Sequence, residues 1–143
     1  MQLMKLLHKT FQKELPSIHQ VRLKNVINAS ETLIKHNKLT LTALGRNLSN
    51  QAKARSNIKK IDRLLSNPSL QTDRLAFYKL MASYLITEGT SPCIHIDWSC
   101  ICSKTKLYLL RASLTMLGRS IVIYEACYPK KKENNHAIHK LFL

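Results

Sequence analysis

Apolar residues in the first part of the chain recur at the spacing of a helix face. Leu3, Leu7, Phe11 and Leu15 stand four apart until Pro16-Ser17 interrupts them, and Ile18, Val21, Val26, Ala29 and Leu33 resume at roughly helical intervals. Thr40 or Thr42 supplies a capping hydroxyl for a short helix carrying Leu41, Leu44 and Leu48. Ser49-Asn50 reads as a turn, and the next helix is predicted over residues 51–66. Asn67-Pro68-Ser69 is expected to end that helix, and Thr72-Asp73 to open a last one that runs through Tyr84.

The pattern changes at Gly89-Thr90-Ser91-Pro92. Residues 93–97, 107–115 and 120–126 are short runs rich in β-branched and aromatic side chains, with Gly118 between the second and third. They predict three strands in a meander, followed by a helical start over residues 134–143. The expected fold class is therefore α+β, with an all-helical domain over residues 1–89 and a strand-bearing domain over residues 93–143. Hydrophobic residues make up 45% of the chain, which supports a core and argues against wholesale disorder.

Charge adds a partner to this picture. The chain carries 23 Lys and Arg against 8 Asp and Glu, a net charge of +15 with His neutral. Residues 1–92 hold 15 of the cations and 5 of the acids, residues 93–143 hold 8 and 3, so the excess is spread over both halves. Such a surplus points to a polyanion, because neutralising phosphates releases counterions and gives affinity without regard to sequence. Ribosomal and RNA-binding proteins share this balance, so charge alone does not choose the nucleic acid.

Helical phase narrows the choice. In the helix over residues 51–66, Ile58, Ile61, Leu64 and Leu65 are expected on one side, with Lys53, Arg55, Lys59, Lys60 and Arg63 on the other, interrupted only by Asp62. A short helix and a tight turn precede it, which is the layout of a helix-turn-helix that packs one face and offers the other to a DNA groove. A solvated bundle helix can look the same. Five cations within eleven positions, beside Arg46 and Asn57, favour DNA. The lysines would then meet phosphates, and Arg55 or Asn57 base edges.

In Ile94-His95-Ile96-Asp97-Trp98-Ser99 a carboxylate ends a short apolar strand, a place from which it can either hold a divalent ion or cap a turn. Taken with LTLTALGRNL (residues 39–48), NIKKIDRLLSN (57–67), Leu110-Arg111-Ala112-Ser113, Gly118-Arg119-Ser120, Tyr124-Glu125 and Pro129, this motif resembles the IS-four family, the cut-and-paste transposases of bacterial insertion sequences. The likeness runs over nearly the whole chain in a consistent order. It implies an N-terminal helical domain that binds the terminal inverted repeats of the element. It also implies a ribonuclease-H-like core with an Asp-Asp-Glu triad that uses Mg²⁺ to cut, hairpin, reopen and join DNA ends. By that likeness Asp97 is the first triad carboxylate and a metal ligand, a full-length transposase is a further partner, and the location is the bacterial cytoplasm, at the nucleoid.

The sequence also departs from the family pattern. The second aspartate and the glutamate would lie beyond Leu143, and neither Glu125 nor Glu133 matches a triad position. A two-metal site needs several convergent carboxylates. The expectation is an incomplete ribonuclease-H-like core of three strands, unable to cut DNA alone and left with an open apolar face and open edges. A self-sufficient helix-turn-helix regulator is the alternative reading, and it leaves the Asp97-Trp98-Ser99 strand unexplained. A basic RNA-binding protein leaves the helix-turn-helix spacing unexplained.

Weaker signals add little. Cys93-x-His95 and Cys100-x-Cys102 lack the spacing of structural zinc sites, and the four cysteines read as reduced thiols. His136-x-x-His139 has no acidic partner, and Lys130-Lys131-Lys132 reads as a solvated loop. The apolar start is broken by Lys5 and is too short for a signal sequence, and no window approaches a membrane span, so no membrane partner is expected.

Overall fold

The computed structural model describes residues 2–116 and 118–142. The helices α1 (Gln2–Glu14), α2 (Gln20–His36), α3 (Leu41–Asn47), α4 (Ala54–Leu65) and α5 (Pro68–Leu85) come first. Strands β1 (Ile94–Cys102), β2 (Leu107–Met116) and β3 (Arg119–Pro129) follow, and α6 (His136–Phe142) comes last. The chain divides into two compact units, and the division falls between Phe77 and Tyr78, inside α5. The sequence offers no Gly or Pro at that point; the change of texture at residues 89–92 lies a turn beyond the end of the helix.

In the helical unit each boundary has a local cause. Thr40 has extended backbone angles, and its hydroxyl accepts from the Ala43 N–H at 3.2 Å, so it is the cap of α3. Asn37 takes the left-handed conformation at the end of α2, where its N–H closes on the Leu33 carbonyl. The start of α5 differs from expectation. Pro68 opens that helix instead of separating two, because its missing N–H costs nothing in a first turn. Asn67 then serves the free amides there, its Oδ1 accepting from Ser69 at 2.9 Å.

The core of this unit joins Leu44, Leu48 and Ile61 to Ala29 and Leu33. Phe11, Leu15, Ile18, Leu23 and Ile27 are also buried, and Phe11 meets Phe77 edge to face at 5.6 Å. Arg22 donates to the Asp73 carboxylate, an ion pair with both side chains mostly covered, which ties α2 to α5.

In the second unit β1, β2 and β3 form an antiparallel sheet in that order, the expected meander. A bulge in the β2–β3 ladder lies between Ala112 and Ser113. Leu110, Ala112 and Leu114 of β2 and Ile123 of β3 point to one face, and Ile138 and Phe142 of α6 pack on them with Leu85 and Ile86 alongside. The expectation of an open apolar face is thus corrected for this side of the sheet. The helix that covers it is short but capped, the Asn135 Oδ1 accepting from Ala137 at 2.9 Å and Ile138 at 3.3 Å. Trp98 is fixed against the same helix, its indole N–H donating to His139 Nε2 at 2.8 Å. Leu143, the end of the expected C-terminal helix, lies outside the described residues.

Candidate nucleic-acid interface

A close approach of α3 and α4 is made possible by an absent side chain. Gly45 of α3 lies against α4 so tightly that a Cβ there would stand 2.5 Å from the Ile58 Cα and 2.6 Å from its nitrogen. Those are backbone atoms and cannot swing aside. Glycine therefore lets α3 and α4 pack backbone on backbone, and residues 48–53 join them.

The pairing fixes which side of α4 is turned inward. Asn57, Ile61 and Leu64 are buried, an i, i+4, i+7 row against the rest of the unit. Lys53, Arg55, Lys59, Lys60 and Arg63 are all exposed, as is Arg46 on α3. Among the described residues none of these six takes part in an ion pair, although the same unit pairs Arg22 with Asp73 and Lys35 with Glu31. Lys35 donates to Glu31 at 2.9 Å, and that hydrogen bond holds the Glu31 carboxyl below its usual range. Paired acids in this unit thus meet cations elsewhere, and on α4 a single exposed acid, Asp62, stands against Arg55, Lys59, Lys60 and Arg63.

Two expected positions fall differently. Asn57 is 4% exposed and cannot reach a base. Its amide and that of Asn50 bond each other both ways, at 2.8 and 3.0 Å, and Asn57 also donates to the Ala52 carbonyl at 3.3 Å. Asn57 is therefore the clasp of the α3–α4 connection. Its place one turn before Ile61 in the apolar row was the sequence signal for burial. Leu65, expected among the apolar set, is instead 50% exposed. Asn50 is the contributor that sequence reading missed; it looked like an ordinary turn residue.

Asp97 lies inside β1 and not at a strand end as expected, because the strand continues to Cys102, and it points to the face opposite Leu110 and α6. Across the ladders it pairs with Arg111, and Arg111 pairs with Glu125, so three charged residues cross the three strands in one row. The Arg111 Nε donates to the Glu125 Oε2 at 3.1 Å. Asp97 is exposed, its strand neighbour is a guanidinium, and no group of three or more His, Cys, Asp or Glu that could hold a metal occurs among the described residues. This donor set does not fit a magnesium pair, which needs carboxylates on both sides of the ions.

No family model, curated protein or solved structure matches the chain.

The cysteines fit no zinc site. All four are free thiols, and Cys93 Sγ comes only within 4.0 Å of His95 Nε2. Cys102 is distinguished by its hairpin: a hydrogen bond from the Thr105 hydroxyl, with backbone N–H groups of the turn, lowers its thiol from the ordinary cysteine range. No helix is long and apolar enough to cross a membrane among the described residues.

Proposed function

We propose that the helical unit binds double-stranded DNA by laying the outer face of α4 along a groove, in the manner of a helix-turn-helix. The observation that carries this is the combination at one element: α4 is locked to α3 through Gly45, and its four cations, with Lys53 just before it, face outward and make no ion pair among the described residues. A rigid helix whose charges are uncompensated gains most from a polyanion that replaces the missing counter-charge. The connection over residues 48–53 is longer than the usual turn of about three to four residues, and the Asn50–Asn57 amide pair holds it closed. In this reading Arg55 and Lys59, at the centre of the exposed face, approach the bases or the groove walls, and Arg46 and Lys53 meet flanking phosphates.

The likeness to the IS-four transposases supplies the class of site, the terminal inverted repeats of an insertion sequence. In this reading the ribonuclease-H-like part contributes a sheet that carries Asp97 and no second metal-binding carboxylate free of a cation. The chain on its own then holds DNA ends without cutting them. Footprinting of the purified chain on inverted-repeat DNA, promoter DNA and structured RNA tests the reading. Protection of the repeat ends supports it; preference for RNA removes it, and protection of promoter DNA alone favours the regulator. A nicking assay with Mg²⁺ on the same repeat DNA is expected to show no cleavage above that of Asp97→Ala.

A further inference from the structure

We propose that the cleft between the start of α2 and one flank of α4 seats a single backbone phosphate of the bound duplex. This rests on the DNA-binding reading above and adds where the sugar–phosphate chain runs and which cations hold it.

The cleft encloses about 310 Å³ and lies wholly within the helical unit. Ser56, Lys60 and Arg63 form one wall, an i, i+4, i+7 row on α4, with His19 and Asn25 from the α2 side opposite. Every one of these side chains offers a hydrogen-bond donor, and no carboxylate lines the cleft among the described residues. Arg22 also lines it, but its charge is already met by Asp73, and that mostly covered pair stiffens the α2 wall. Among the described residues Lys60 and Arg63 have no such ion-pair partner. Two free cations and three neutral polar groups that converge on one space suit a group that bears a negative charge and only acceptors, which a phosphodiester is.

The same geometry splits the cations of α4 by job. Lys60 and Arg63 line the cleft, and Arg55 and Lys59 are exposed outside it. The phosphate seat therefore fixes the register of the helix on the duplex, and Arg55 and Lys59 are left to discriminate between sequences.

The test uses the full chain and a labelled duplex, with affinity measured by anisotropy across a range of salt. If Lys60 and Arg63 share one phosphate, the Lys60→Ala/Arg63→Ala double variant flattens the plot of log affinity against log salt by about one unit. His19→Ala and Asn25→Ala weaken binding a few-fold to every duplex alike and leave the preference among sequences unchanged. A flattening of about two units means two separate phosphates and overturns the proposal, as does an unchanged slope or an altered sequence preference in either α2 variant. If the wild-type chain binds no duplex at all, the DNA reading fails, and the seat is judged alone with inorganic phosphate. Saturable amide shifts at Val21, Asn25 and Ser56 then uphold it as a phosphate site, and their absence ends it.

Discussion

The two units of this chain both carry many cations and place them differently. In the strand unit Arg111 is spent on Glu125 in the middle of the sheet, and Lys130 lies 5.9 Å from the ring of Tyr108 in the short turn after β3. In the helical unit acids pair with Arg22 and Lys35, and the cations of α4 face outward with no ion pair among the described residues, Asp62 being the one acid on that helix. Net charge counts both units equally. What separates them is where the unpaired cations stand. The helical unit gathers them on one helix locked to its neighbour, and the strand unit scatters most of its own over turns and element ends. Only the first set is thus pre-positioned for a phosphate.

The comparison is broken most severely by removing the device that holds α4 in place. Gly45→Ala puts a methyl group into the Ile58 backbone, and the helices must part. The expected loss is about 3 kcal/mol in the helical unit. Amide exchange across α3 and α4 should accelerate while the sheet amides keep their protection; equal loss in both units would mean that they unfold as one body.

The next effect concerns equal charge removed from each side. Lys53→Ala/Arg55→Ala/Lys59→Ala is expected to lower duplex affinity by about a hundredfold, and Lys130→Ala/Lys131→Ala/Lys132→Ala by less than about threefold at the same salt. Anisotropy titrations decide this. Similar losses in the two triples would show that charge alone drives binding and that the arrangement on α4 is incidental.

A smaller change separates clasp from reader. Asn57→Ala removes three buried hydrogen bonds and should destabilise the helical unit by about 1–2 kcal/mol, with base preference unchanged once the protein is folded. A shifted preference without a stability loss would restore Asn57 to the DNA surface.

The smallest effect lies in the strand unit. Because the Thr105 hydroxyl lowers the Cys102 thiol, its thiolate persists to lower pH than that of an ordinary cysteine. Alkylation followed by peptide mass spectrometry should show Cys102 with a pH–rate midpoint below the ordinary cysteine range, and Thr105→Val should move that midpoint up.

Much of this fold was legible because its apolar residues keep strict periods. The four-residue spacing of Leu3, Leu7 and Phe11 announced α1, although Leu3 is exposed and Met4 takes the buried place, and the β-branched and aromatic run over residues 107–115 announced β2. A threonine cap for α3 was readable from residue type, but the choice between Thr40 and Thr42 was made only by the structure. The departures came where one residue serves two chemistries. Pro68 reads as a breaker but is equally suited to a first turn, and only its neighbour Asn67 decides between them. Asn57 is polar by type and core by position, and position prevailed because Asn50 satisfies its amide. The exposed cations of α4 were predicted by phase. The cleft they share with His19 and Asn25 was not, since it joins segments more than thirty residues apart.

The single tryptophan of the chain sits in the strand unit, its ring edge-on to Tyr128 at 5.7 Å and its indole nitrogen bonded to His139 of α6. Emission from this protein is therefore an optical signal of the sheet and its covering helix alone, and it is blind to melting of α1 to α4. Far-ultraviolet dichroism, by contrast, is dominated by those helices. One cuvette thus reports the two units through two different kinds of light. A DNA ligand that protects the dichroism while leaving the emission midpoint unmoved would locate its binding on the helical side without a single substitution.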